Sequence, residues 1–240
     1  MDFQPFGVVH FVIFFASLTL GIFSIFWLKA EGNVDRQKKR ARIAGFLILI
    51  PNAVLALQRF LPGHFDWMTS LPLDLCDLAW MVAGASLISG RRILRETSYY
   101  WGVGLSTQAF LTPTLTDGPQ TLVFWDFWGS HWQIVTAAFA ELLVFQLRPN
   151  WRSWASVCCL TFVCCAFVTG VNLSIGSNYF FTGSRTPSHP TMIDLLGPWP
   201  WRLVALLVIV VSWFALLTIP FIWRNRRRQG HRSEAAGRLN

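Results

Sequence analysis

The stretch SLPLDLCDLAW places Asp74, Cys76 and Asp77 at the head of an apolar run, and SHWQIV places His131 near the start of another. A cysteine early in a helix lies near the positive end of the helix dipole, which favours thiolate, the form that attacks a carbonyl carbon. Thr69 or Ser70 is the expected cap and Pro72 suits the first turn, which predicts Cys76 in the second turn. A histidine at similar depth on a facing helix can take the thiol proton, because packed helix axes lie about 8–10 Å apart. Asp74 and Cys76 point about 200° apart around a helix. Asp77 is closer in projection and is the better orienter of the imidazole. The pattern points to nucleophilic chemistry at a thiol activated by a base, with Cys76, His131 and Asp77 as the catalytic candidates.

Other polar residues extend this set toward a substrate. Arg59 suits a lipid phosphate, or else snorkels and pairs with Asp66. Asp126 is an alternative orienter of His131, and Asn172 or Asn178 can join backbone N–H groups in holding an oxyanion. Gln108, Asp74, Asp194 and Trp199 complete the substrate-binding candidates, the last two in DLLGPWPW, read as part of a headgroup entrance. Glu141 lies about 15 Å deeper than His131 by helical rise, and reads as a buried hydrogen-bonding group or part of a proton path. The CCLTFVCC run, Cys158 to Cys165, lacks the spacing of a zinc or cluster site and reads as small-residue helix packing.

The elements that must hold these residues are transmembrane. The 240-residue chain is 53% hydrophobic and only 13% charged, which leaves little water-facing surface. Apolar stretches near the roughly 20 residues needed to cross a bilayer predict an all-α bundle of seven spans, at about 6–28, 43–61, 73–90, 97–115, 128–147, 154–174 and 202–223. They form a single polytopic membrane domain over 1–240, with a basic tail at 224–240. The run from Phe3 to Leu28 has no basic leader or small-residue cleavage site, and reads as a retained span. All of the 20 lysines and arginines except Arg59, Arg185 and Arg202 fall after the odd-numbered spans, which predicts the N-terminus outside and the C-terminus in the cytoplasm. The catalytic candidates then share the outer face. The tail sequence RNRRRQGHR follows an apolar span and reads as an anchor near anionic lipid, not as a nucleic-acid element.

The motifs LPLDLCDLAW, GVGLSTQAFLTP, SHWQIV, VNLSIGSNYFF and MIDLLGPWPW resemble those of the YwaF-like bacterial integral membrane proteins, whose eukaryotic relatives are multi-pass phospholipid acyltransferases. The resemblance implies seven spans, a location in the bacterial cytoplasmic membrane, and membrane phospholipids as partners. It also implies a cysteine that carries the acyl chain as a thioester, at Cys76, with an assisting histidine at His131, and transfer without acyl-CoA. No cofactor is implied.

The sequence therefore predicts an intramembrane lipid acyltransferase or lipid hydrolase. The alternative is a seven-helix receptor or proton-coupled transporter that binds a polar or lipid ligand in the same outward pocket through Asp77, His131 and Glu141. A zinc hydrolase using His10, His64, His131 and Asp77 is a third reading, set against the lack of clustered histidine spacing.

Overall fold

Apolar length and buried polarity sort the helices into two sets. The computed structural model describes residues 3–30, 32–63, 65–184 and 192–237, with side chains described up to Arg224 except those of Met192 and Asp194. Among the described residues the chain is all-helical and has no strand. Helix α1 spans Val8–Lys29, α2 Val34–Gln58, α3 Leu75–Ser89, α4 Arg92–Trp101, α5 Gln108–Leu111, α6 Leu122–Leu143, α7 Trp151–Ile175 and α8 Trp201–Gly237. A π-helical turn, Gly102–Ser106, joins α4 to α5 into one interrupted element. Helices α1, α2, α7 and the Trp201–Arg224 part of α8 are long and apolar enough to cross a membrane.

Those four helices present exposed Phe, Leu, Val and Trp side chains along their length. Helices α3, α4 and α6 pack on one another and are more buried than the other four. This explains their composition. A helix wrapped by other helices can bury Glu96, Thr97 and Ser98 on α4, or Asp77 and Ser86 on α3, because its polar groups meet partners and not lipid. The main core joins Trp80 and Ala83 of α3, Tyr100 and Trp101 of α4, Ile134 and Ala137 of α6, Val157 of α7 and Phe214 of α8.

Several helix bounds differ from those expected. Helix α2 starts at Val34, ahead of the expected 43, because the Asn33 side chain caps it by accepting from the amides of Asp35 and Arg36. Helix α6 starts at Leu122, ahead of the expected 128, capped by Thr121 Oγ1, so Asp126 lies within the helix and not before it. The α2/α3 crossing is very close. A Cβ on Gly84 would lie 3.0 Å from the Gly45 carbonyl oxygen and 2.5 Å from Leu49 Cγ. Two backbones in this proximity hold the end of α2, and hence Arg59, in register with the start of α3.

Candidate functional site

Helix α3 begins later than its motif suggests. Asp74 is the N-cap, with extended backbone, and Cys76 is therefore in the first turn, not the second. Ser70, the expected cap, instead accepts the Asp66 amide at 2.9 Å. The Asp74 carboxylate does not cap α3 either. It accepts the Phe180 amide at 3.3 Å, from the segment that follows α7.

Around this helix start the fold gathers four charged groups. The Arg59 guanidinium, just past the end of α2, donates from Nη1 to both carboxylate oxygens of Asp77, at 3.3 and 3.2 Å. Its Nη2 lies 3.5 Å from Asp126 Oδ2 on α6. Arg59 thus ties α2 to α3 and α6. The expected partner Asp66 is elsewhere, accepting from the Met68 amide and the Thr69 hydroxyl within its own turn. The Asp77 side chain is 3% exposed, while those of Arg59 and Asp126 are 32% and 27% exposed.

The thiol and the imidazole both lie within electrostatic range of Asp77. Cys76 has Asp74, Asp77 and Arg59 as its charged neighbours. The buried His131 ring has Asp77 as its charged neighbour. His131 Nδ1 lies 2.7 Å from the Phe127 carbonyl oxygen, one turn back on α6. A carbonyl only accepts, so Nδ1 carries the hydrogen and Nε2 is left as the basic nitrogen. Two turns below the Arg59–Asp126 pair, Asn52 Nδ2 donates to Gln133 Oε1 at 2.6 Å, a second polar rung between α2 and α6. Sequence reading missed this rung, although a lone Asn after Pro51 in an apolar span is a signal for it.

Asn172, read as an oxyanion donor, is committed to its own loop. Its Nδ2 donates to the Tyr179 carbonyl and the Thr182 hydroxyl, and its Oδ1 accepts from the Ser177 hydroxyl and the Tyr179 amide, all at 2.7–3.0 Å. Tyr179 carries the connection onward: its hydroxyl donates to the Trp67 carbonyl at 3.0 Å and accepts from the Leu71 amide at 2.9 Å. Burial pushes this phenol above its ordinary pKa, which keeps it a donor. Phe180 and Phe181 both have positive φ, a conformation that costs roughly 1–3 kcal/mol per residue. The hydrogen bonds of Asn172 hold that strained turn in shape, and the Tyr179 hydroxyl and Phe180 amide join it to the start of α3. Asn178 Oδ1 accepts from the Gly183 amide. There is no room for a Cβ on Gly183, which would lie 2.2 Å from the Ser177 carbonyl oxygen.

The remaining candidates are peripheral or engaged elsewhere. Trp199 Nε1 donates to the Thr182 carbonyl, on the far side of the same loop. Gln108 is exposed on α5. The side chain of Asp194 and all of His64 lie outside the described residues. Both ring nitrogens of His10 are used, one accepting from the Phe6 amide and the other donating to the Phe110 carbonyl. Among the described residues no three His, Cys, Asp or Glu side chains form a metal-binding group. Glu141 sits at the opposite end of α6, where its carboxylate accepts from Ser86 Oγ at 2.9 Å and Arg95 Nε at 2.5 Å. Cys158 and Cys164 pack against the core, and all five cysteines are free thiols.

A family model described as TMEM164 family matches residues 5–218. The chain belongs to the TMEM164 family. It is a membrane protein with several apolar helices, and the match covers every residue of the site. A TMEM164-family chain is also similar here to a protein of Treponema pallidum (strain Nichols) described as uncharacterized, 27% identical over 179 residues, covering 75% of this chain and 74% of the relative. No solved structure matches it.

Proposed function

We propose that this protein is an intramembrane lipid acyltransferase or lipid hydrolase working through a thioester on Cys76 at the outer membrane face. What supports the reading is that Cys76 and His131, whose Nε2 is left basic, each have Asp77 of the Arg59–Asp77–Asp126 cluster as a charged neighbour. Ionisable groups kept among membrane helices default to function. The resemblance of the LPLDLCDLAW and SHWQIV motifs to the YwaF-like proteins and their acyltransferase relatives points the same way.

In the first step the Cys76 thiol gives its proton to His131 Nε2 and the sulfur attacks the ester carbonyl. The S–C bond forms, the ester C–O bond breaks, and the departing alkoxide takes the proton from His131. In the second step His131 deprotonates an acceptor hydroxyl, a second lipid's or water's, which attacks the thioester. The new C–O bond forms, the C–S bond breaks, and the proton returns to sulfur. Asp77 stabilises the imidazolium in both steps. Cys76 lies in the first turn of α3, and the amides of that turn would serve as donors for the oxyanion.

The test is intact-protein mass spectrometry after incubation with defined phospholipids. Wild type gains one acyl chain, removable by hydroxylamine. Cys76→Ser gains none, and His131→Ala accumulates it at least about 100-fold more slowly. An unchanged wild-type mass across zwitterionic and anionic lipids would sink the reading.

A further inference from the structure

The Arg59–Asp126 pair differs from the Arg59–Asp77 pair in a way that suits a ligand. Arg59 holds buried Asp77 through both carboxylate oxygens, whereas Asp126 is met by the other nitrogen at the longer 3.5 Å, and both members of that outer pair are partly exposed. The pair lies just past the end of α2 and in the second turn of α6, where Asp126 follows exposed Trp125, whose indole donates to the Pro119 carbonyl. A tryptophan with one polar edge held and one face exposed belongs at the interfacial layer, at headgroup level.

Resting on the lipid reading above, we propose that Arg59 and Asp126 form a headgroup-reading pair that opens to admit a zwitterionic phosphodiester headgroup, whose phosphate replaces Asp126 on Arg59 while its ammonium replaces Arg59 on Asp126. One internal ion pair becomes two intermolecular ones. No charge is left alone in a poorly screened site, where an unpaired charge is costly. An anionic phosphodiester cannot do this. It takes Arg59 but leaves Asp126 unpaired, with the Asp77 carboxylate close by, so the same geometry excludes it. A soluble headgroup has the same charges, and the acyl chains add only apolar contact.

The experiment uses the full chain in detergent with Cys76→Ser as background, which separates binding from turnover. Titrations follow Trp fluorescence with dihexanoyl phosphatidylcholine, dihexanoyl phosphatidylglycerol and glycerophosphocholine. The phosphatidylcholine Kd is at least about tenfold lower than the phosphatidylglycerol Kd, the size expected for one charge-assisted contact. Glycerophosphocholine binds more weakly than the lipid and competes with it. Asp126→Asn closes the ratio to within about threefold by strengthening the anionic lipid, Asp126→Glu keeps the ratio, and Arg59→Gln weakens both lipids. A ratio near one in the background protein, or a ratio unmoved by Asp126→Asn, overturns the proposal. The acyl-adduct assay reads the thioester independently, so a retained headgroup ratio without any adduct rejects the thioester chemistry and leaves the headgroup site standing.

Discussion

The two ends of the central helices treat buried charge in opposite ways. At the end of α6 distant from Cys76, Glu141 is 1% exposed and paired with Arg95, with Ser86 and the Phe145 carbonyl completing the contacts. Beside it Glu96 accepts from Arg92 and from Ser153, which also belongs to the capping box of α7. Each carboxylate has one guanidinium and one hydroxyl. At the Cys76 end a single guanidinium serves two carboxylates, Asp74 is turned toward a loop amide, and a thiol and an imidazole stand alongside. The first end is balanced and holds helices together. The second carries more negative than positive groups and has polar atoms to offer a ligand. Between them lies an apolar layer that includes Ala79, Ala83, Ile134 and Ala137, which speaks against Glu141 as part of a proton path to His131.

This contrast can be broken by mutation. The largest loss of stability is expected from Glu141→Ala, which strands Arg95 and costs about 3–5 kcal/mol, read as thermal unfolding in detergent. Asn172→Ala comes next. It leaves buried backbone groups of the strained turn unpaired, for about 2–3 kcal/mol, and speeds hydrogen exchange at the Leu71 amide, whose Tyr179 partner is released. Gly84→Ala forces α2 and α3 apart for about 1–3 kcal/mol. It also loosens the Arg59–Asp77 contact, so Cys76 acylation falls more than folding does. The smallest effect is that of Asp126→Asn, under about 1 kcal/mol, because its pair is partly exposed. If Asp126→Asn destabilises as much as Glu141→Ala, both ends are structural and the distinction fails.

Much of the site was legible because membrane chemistry makes exceptions visible. Asp77, Cys76 and His131 stand out in apolar runs, and helical periodicity sets Asp77 and Asp74 apart from each other relative to Cys76; in the structure Asp77 bonds Arg59 and Asp74 accepts a loop amide. Arg59 stood out too, but its partner did not. Asp66 is near in sequence, whereas Asp77 and Asp126 are brought to Arg59 only by the Gly45/Gly84 crossing and the packing on α6. The start of α3 was misjudged because Ser70 looks like a cap, and only a contact with Phe180, far along the chain, shows where Asp74 is held. Asn172 looked like a free amide for the same reason.

What the sequence by itself determined is the membrane class, the all-helical build and the identity of the unusual polar residues, since the hydrophobic effect acts on each segment locally. Which of these residues meet was decided by the tertiary structure alone. Side-chain pairing depends on helix crossings and loop closures between residues far apart in the chain, and no local pattern encodes those distances.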